Sequence, residues 1–165
     1  MAPAGDMAFN ESAMQESFFM SNMSPQLREV NGGIWRELEE TVRDWADEDN
    51  ELFIASGPIF DGAQNYIGKS SQVRIPAAFY KIIVDIEGRE KKGVAYIIPH
   101  ESSDRPLNDY ALSIDEVESK IGLDFFDNLY EDEQEERLIE ASFDKSKWPT
   151  SQKRYKNRRD NWNNN

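Results

Sequence analysis

Apolar residues recur at helical spacing between residues 33 and 47, with charged residues in most of the positions between them. A helix advances about 100° per residue, so apolar side chains three or four positions apart share one side. The stripe consists of Ile34, Leu38, Val42 and Trp45. The pattern predicts a long amphipathic helix over 33–47 whose stripe, including Trp45, faces a core. Trp35 is expected in the same core.

Shorter apolar runs farther along the chain predict strands. Residues 52–56 form one such run, and Gly57-Pro58 ends it. Residues 79–86 and 94–98 flank a polar, Gly-containing stretch, a pattern typical of an antiparallel hairpin. Three further elements are predicted downstream: a strand over 110–114, a helix over 115–121 capped by Ser113, and an acidic helix over 131–141.

These helices and strands do not alternate as strand–helix–strand units, so the sequence predicts an α+β fold with a largely antiparallel sheet. A chain of 165 residues has the length of one domain. We assign that domain to residues 1–148, with Trp148 sealing its end. Residues 149–165 are polar, basic and Asn-rich, and are predicted to be a disordered tail.

The net charge of −13 argues against nucleic-acid binding, because phosphate contacts require lysine and arginine. The charge is uneven, however. Residues 145–165 hold 7 of the 19 Lys and Arg and only Asp160 of the 32 acids, which leaves 12 bases against 31 acids in 1–144. A metal ion could add local positive charge to this acidic body. The chain has no cysteine, which excludes disulfides.

Candidate chemistry is concentrated in residues 21–43. Asn22, Gln26 and Asn31 supply carboxamides, and amide oxygens suit Mg²⁺, a hard cation that retains most of its water. Asn31 is expected at the start of the long helix, on its core-facing stripe. Glu39 and Arg43 lie four residues apart and are neighbours on one helical face.

Each of these residues also has an ordinary structural interpretation. Asn31 before Gly-Gly is typical of a helix N-cap, and the amides of Asn22 and Gln26 suit the turn around Ser24-Pro25. Glu39 and Arg43 could form an exposed ion pair that contributes only a few tenths of a kcal/mol, ~0.2–0.5.

Several motifs of this chain together resemble one enzyme family. They are MAPAGD at residues 1–6, SNMSPQ at 21–26, NGGIW at 31–35 followed by Leu-Glu and by Arg43, and SGPIF at 56–60. In this order they resemble the DNA/RNA non-specific endonucleases, the ββα-metal or His-Me finger family that includes endonuclease G and secreted sugar-nonspecific nucleases. The resemblance extends from Met1 to about Trp148.

The resemblance implies a ββα-metal nuclease fold, Mg²⁺ (or Mn²⁺) as cofactor, and DNA and RNA as substrates. Asn31 matches the family's single protein ligand to the metal. Asn22 and Gln26 match positions near the scissile phosphate, Glu39 matches the acid that holds metal-bound water, and Arg43 matches an arginine near the phosphate. No membrane partner is implied, and a homodimer is left open.

One family element is not found in this sequence. In the family, Asp-Arg-Gly-His immediately precedes MAPAGD and supplies the histidine that acts as general base, whereas here the first residue is Met1. The single histidine, His100 in IIPHESS, is expected to be structural and satisfied by a local hydrogen bond. The chain is therefore expected to be the C-terminal portion of the domain, without its N-terminal strands, and inactive as given. The family suggests a periplasmic or secreted location, but the sequence leaves localisation undetermined.

Two other interpretations remain open: a non-catalytic homologue that binds metal or nucleic acid, and an unrelated acidic α+β interaction domain. The basic tail is open as well. Residues 153–159 could touch phosphates, with Tyr155 and Trp162 stacking on bases. A solvated, disordered terminus is the preferred interpretation.

Overall fold

The computed structural model describes residues 1–49, 51–60, 62, 65–70, 72–88 and 90–161. Its α-helices are α1 (Glu11–Glu16), α2 (Arg36–Asp49), α3 (Ile114–Ile121), α4 (Glu133–Glu140) and α5 (Gln152–Asn161). Its strands are β1 (Phe53–Ile59), β2 (Tyr66–Ile67), β3 (Val73–Arg74), β4 (Ala78–Asp85), β5 (Lys92–Pro99) and β6 (Ala111–Leu112). A wide helical turn, Val30–Trp35, leads directly into α2.

The main sheet is antiparallel, with the strand order β1-β4-β5-β6, and β2 and β3 form a separate two-stranded sheet. The predicted hairpin of β4 and β5 is confirmed, with Ile83 opposite Val94. The strand predicted over 52–56 is present as β1, but its predicted end is wrong, because β1 continues through Gly57 and Pro58, which pair with Tyr80 and Phe79 of β4. The strand predicted over 110–114 shrinks to β6, because a 3₁₀ turn occupies Leu107–Tyr110.

Helices cover the main sheet in two layers. On β4, Phe79 and Ile83 pack with the apolar stripe of α2, while the alternate residues Ile82 and Val84 pack with α3 and α4. Alternation is expected because successive side chains of a strand point to opposite faces. The two layers and the antiparallel sheet confirm the α+β class.

The predicted core of α2 is confirmed. All four stripe residues and Trp35 are buried. Trp148 is buried too, with its ring centroid 4.8 Å from that of Trp45, so it closes this layer as the sequence predicts. Ser113 caps α3 in a reciprocal capping box with Glu116, as expected.

The prediction of a disordered tail is wrong for residues 152–161, which form α5. Arg158 is 2% exposed and its Nε donates to Glu37 Oε2 of α2 at 2.5 Å. Arg154 pairs with Asp44 and Glu40 on the same helix. These ion pairs dock a segment that has too few apolar residues to be recognised from composition. Of the two residues considered for base stacking, Tyr155 is half-buried and its hydroxyl donates to the Asp104 carbonyl at 2.9 Å, and Trp162 lies outside the described residues.

Across the described part of the chain, no helix has both the length and the apolar character needed to cross a membrane.

Candidate active site

The turn before α2 carries Asn31 and differs from the expected helix start. Gly33 has φ −97° and ψ −111°, outside the helical region, and this kink changes the direction of the chain. Val30 is buried, whereas Asn31 is exposed. The expectation that Asn31 lies on the core-facing stripe is therefore wrong, because extrapolating 100° per residue back from α2 fails across the kink.

The N-cap interpretation of Asn31 is also not supported. Asn31 lies inside the wide turn, whose N-cap is Glu29, and no side chain caps that end. The backbone N–H of Asn31 donates to the Leu27 carbonyl at 2.9 Å. Its side-chain amide makes no hydrogen bond to any residue that the structure describes. An exposed amide oxygen without a protein partner fits a Mg²⁺ ion that keeps most of its water.

Asn22 has a different environment, because its amide binds the first residues of the chain. Its Oδ1 accepts from the Ala2 N–H at 2.7 Å, and its Nδ2 donates to the carbonyls of Ala2 and Ser17, both at 2.8 Å. Both donors of the amide are thus committed to backbone. Asn22 fixes the segment that contains Asp6 against the 17–22 turn.

Gln26 differs from Asn22 in the hydrogen bonding of its side-chain amide. Its Nε2 is buried and has no hydrogen-bond partner among the residues that the structure describes, and the same is true of Ser24 Oγ. A buried donor without a partner costs roughly 1–3 kcal/mol. An acceptor atom supplied by a ligand at this turn would remove that cost.

Arg43 and Glu39 do not form the direct ion pair of the ordinary structural interpretation. Instead, Arg43 Nε donates to Asp6 Oδ1 at 2.6 Å. A Cβ on Gly5 would lie 2.9 Å from Arg43 Nη2, so the glycine lets the guanidinium lie close to the 1–6 segment. The MAPAGD motif and helix α2 thereby meet at one place.

Lys81 completes this charged cluster and was missed by the sequence reasoning. It is 2% exposed, and its Nζ lies 5.0 Å from the Trp35 ring centroid. Burial lowers the pKa of Lys81, while the charges of Glu39 and Asp6 oppose that shift. The available signal was a lysine that stands between two apolar residues, Phe79 and Ile83, on the α2-facing side of β4.

Glu39 is half-buried between these charges. Burial is the largest influence and raises the pKa of Glu39. The charges of Lys81 and Arg43 and a hydrogen bond with Trp35 act in the opposite direction. Glu39 therefore holds a proton more readily than an exposed glutamate does, and its neighbouring cations limit that tendency.

His100 lies at the end of β5 and is held by two hydrogen bonds. Its Nε2 accepts from the Leu27 N–H at 2.7 Å, so the 2.9 Å contact of Nδ1 with the Pro76 carbonyl requires that Nδ1 carries the proton. Its structural role is confirmed. The expected local hydrogen bond is wrong, since both partners are distant in sequence.

A second acidic cluster occupies the α3–α4 layer. Ligand oxygens of Asp115, Glu118 and Glu140 all lie within 4.8 Å of one another. Burial raises the pKa of Glu140 to about 7, although the Tyr130 hydroxyl donates to its Oε1 at 2.7 Å. This cluster is separate from the predicted site and packs on the other face of the sheet.

The chain is similar in sequence to several nucleases. It is 33% identical over 141 residues to Nuclease C1 of Cunninghamella echinulata var. echinulata, covering 78% of this chain and 56% of that protein. Against the mitochondrial Nuclease EXOG of Xenopus laevis it is 31% identical over 146 residues, covering 80% and 41%. The chain thus spans about half the length of these relatives.

A solved structure of the EndoG/EndoGI complex is similar in fold. The TM-score is 0.69 at 28% identity, over 79% of this chain and 58% of the other. The two-layered antiparallel architecture and this similarity agree with the ββα-metal nuclease fold. Residues 1–132 match the sequence model of the DNA/RNA non-specific endonucleases. The chain belongs to the DNA/RNA non-specific endonuclease family.

Proposed function

We propose that this chain forms the metal- and phosphate-binding part of an endonuclease that hydrolyses phosphodiester bonds in DNA and RNA. The observation that carries the proposal is the turn 26–31. It presents an exposed Asn31 amide without a hydrogen bond and a buried Gln26 donor that also lacks one. The buried Gln26 donor requires a partner that the described residues do not supply, and the exposed Asn31 amide oxygen is open to a ligand.

Asn31 is the residue that would hold Mg²⁺ (or Mn²⁺) through its amide oxygen. A bound divalent ion would stabilise negative charge on the leaving oxygen of the phosphodiester. One neutral protein ligand suits Mg²⁺, which dehydrates reluctantly. The acidic cluster on the other face of the sheet shares no residue with this turn and is not part of the proposed site.

The other predicted residues bind substrate and water. Gln26 Nε2 would donate to a phosphate oxygen, which satisfies its buried N–H. Arg43 is held by Asp6 through Nε and would neutralise phosphate charge with the rest of its guanidinium. Glu39, whose pKa is raised by burial, would orient a water molecule. Asn22 would position the 1–6 segment that holds Arg43.

The residues of this chain do not place a histidine base at the site. His100 Nε2 is already bonded to the Leu27 N–H, so it has no lone pair with which to take a proton from water. General-base catalysis typically contributes ~10²–10⁴-fold. We therefore propose that these 165 residues alone cleave slowly, and that a longer chain with a segment ending in Asp-Arg-Gly-His ahead of Met1 cleaves rapidly.

The metal site can be tested independently of cleavage. Mn²⁺ binding is followed by electron paramagnetic resonance in an Asp115→Asn/Glu118→Gln background, which removes two carboxylates of the acidic cluster that could also hold a cation. Asn31→Ala should abolish the binding, whereas Asn128→Ala, an exposed asparagine distant from the turn, should leave it unchanged. Undiminished Mn²⁺ affinity in Asn31→Ala would sink the assignment.

Cleavage is tested with plasmid DNA and with labelled RNA, in the presence of Mg²⁺ or EDTA. The longer chain should digest both substrates with little sequence preference, because phosphate contacts carry no base information. If nucleic acid and metal bind but the longer chain does not cleave, the non-catalytic homologue is the correct alternative. The engaged Nε2 of His100 is the observation that favours that alternative.

A further inference from the structure

Helix α5 runs antiparallel to α2 and ends beside the Asn31 turn. Arg154, in its first half, pairs with Glu40 at 3.3 Å, and Arg158, one turn later, pairs with Glu37. Asn161, at its end, lines a cavity of about 220 Å³ together with Gly32 and Gly33. The C-terminal end of α5 is therefore close to the proposed metal-binding turn.

The cations of α5 fall on two opposite sides. Arg154 and Arg158 face α2 and are neutralised there. At about 100° per residue, Lys153 and Lys156 lie on the other side of the helix, and both are exposed. Within the described residues, neither lysine has an ion-pair partner. Arg159 continues the exposed side toward the Asn31 turn and pairs with its neighbour Asp160 at 3.4 Å, with 48% of each side chain exposed.

This exposed side differs in charge from the rest of the molecule. Residues 1–144 carry 12 bases against 31 acids, whereas 145–165 carry 7 bases against 1 acid. A polyanion approaching the acidic body is repelled except where cations are concentrated and not already paired. The side of α5 that carries Lys153 and Lys156 meets both conditions and adjoins the proposed site.

We propose that Lys153 and Lys156, with Arg159 at the end nearest Asn31, bind the phosphate backbone of the nucleic acid that enters the proposed active site. This inference rests on the proposed function and identifies a substrate-binding surface for it. The residues 153–159 rise about 9 Å along the helix, at ~1.5 Å per residue. Phosphates on one strand of a duplex advance about 3.4 Å per nucleotide, so the surface spans two to three of them.

The surface also lies outside the residues that match the family. That match ends at residue 132, before α5 begins at Gln152. The contact is expected to add affinity without sequence selectivity, because ammonium groups recognise phosphate charge and not base edges.

The test measures binding of a fluorescein-labelled single-stranded DNA oligonucleotide by fluorescence anisotropy, in EDTA and at several salt concentrations. Lys153→Gln/Lys156→Gln is compared with Lys120→Gln/Arg137→Gln, which removes the same charge from exposed positions on α3 and α4. Each lost contact to a single strand lowers the slope of log K against log salt by about 0.7. The α5 variant should lose about 1.4 of slope and roughly ten- to thirty-fold in affinity at about 0.1 M salt, and the control should lose neither.

The outcomes separate this inference from the proposed function. Binding that weakens in Arg43→Ala but keeps its slope in the α5 variant would overturn the surface and leave the proposed site standing. Absence of binding by the unmodified chain in EDTA would overturn the surface, and its absence with Mg²⁺ as well would overturn both. A charge reversal, Lys153→Glu/Lys156→Glu, should weaken binding further, and circular dichroism checks that each variant keeps the helices.

Discussion

Lys81 shows how a single buried charge can set the state of a site residue. Its charge is one of the influences that lower the pKa of Glu39 against the larger effect of burial. We expect Lys81→Met to raise the pKa of Glu39, because the favourable interaction with the carboxylate is lost. The measurement is a ¹³C carboxyl NMR titration, with Lys120→Met as a control at an exposed position. A lowered or unchanged Glu39 pKa in Lys81→Met would contradict this account.

Asn22 is predicted to act on the structure of the N-terminal segment. Asn22→Ala removes hydrogen bonds to Ala2 and Ser17, at a cost of about 1–3 kcal/mol in the free energy of unfolding, given ~1 kcal/mol each. Asn22→Asp keeps the acceptor for the Ala2 N–H and loses both donors, so it should fall between wild type and Asn22→Ala. Urea denaturation measures all three. Equal stability of Asn22→Ala and wild type would show that these bonds contribute nothing.

At the residue scale, the motifs name candidate side chains, and the structure shows where each of them lies. The resemblance selected Asn31, Glu39 and Arg43, and the structure brings Glu39 and Arg43 together with Asp6 and Lys81. Periodicity misplaced Asn31, because the conformation of Gly33 breaks the helical phase. It could not reveal Lys81 as a neighbour of Glu39, since pairing across the sheet decides which strand passes beneath α2.

At the element scale, α5 depends on buried charge more than on apolar contact. Arg158 donates to Glu37, to the Ser103 carbonyl and to the Arg105 carbonyl. Arg158→Met would leave Glu37 buried without its partner, which typically costs about 3–5 kcal/mol. Arg159→Met, on the exposed side, should change stability by less than about 0.5 kcal/mol. Thermal and urea unfolding measure the stability of the Arg158→Met and Arg159→Met variants. Equal stabilities would contradict the role of Arg158 in docking α5 onto α2.

The acidic helix α4 makes stability depend on pH. Burial raises the pKa of Glu140 to about 7, above its ordinary value of 4.5. Between these values the folded chain keeps a proton that the unfolded chain loses, so this contribution is complete below about pH 4.5 and is lost as the pH rises through about 7. At about 1.4 kcal/mol per pKa unit, its size is on the order of 3.5 kcal/mol.

Glu140→Gln should remove that dependence. The variant keeps an acceptor for the Tyr130 hydroxyl and has no carboxylate to desolvate, so it should be more stable than wild type near pH 8 and similar near pH 4. Glu133→Gln, at an exposed position on the same helix, is the control. Urea midpoints measured across this pH range give the comparison. If wild type were more stable than Glu140→Gln at pH 8, the assigned direction of the pH dependence of stability would be wrong.

The sequence predicted some elements better than others for physical reasons. The α2 stripe, the β4–β5 hairpin and the Ser113 cap follow from local spacing and were confirmed. Helix α5 was missed because its apolar content is low and its stability comes from pairing with acids of α2, far away in sequence. Composition indicates how much apolar surface a segment can bury, but it does not reveal ion pairs with residues that are distant in sequence.

At the scale of the whole molecule, the sheet separates two regions of different chemistry. The α2 layer carries the proposed site and the basic helix, and the α3–α4 layer carries the acidic cluster. Under the proposed function, attraction of a nucleic acid to a chain with a net charge of −13 would be local, at the proposed α5 surface and at a metal on the proposed Asn31 site. The overall charge would otherwise repel a nucleic acid.

The same charge predicts opposite effects of salt on folding and on binding. The chain has 32 acids and 19 bases, and repulsion among the excess negative charges destabilises the compact state. Exposed ion pairs typically contribute only ~0–1 kcal/mol each. Screening by salt should therefore raise the unfolding temperature modestly, while it weakens oligonucleotide binding. Differential scanning fluorimetry and fluorescence anisotropy over one series of NaCl concentrations measure both. An unfolding temperature that falls as salt rises would contradict this prediction. It would mean that the surface ion pairs of Arg154 and Lys91 stabilise the fold by more than the net repulsion destabilises it.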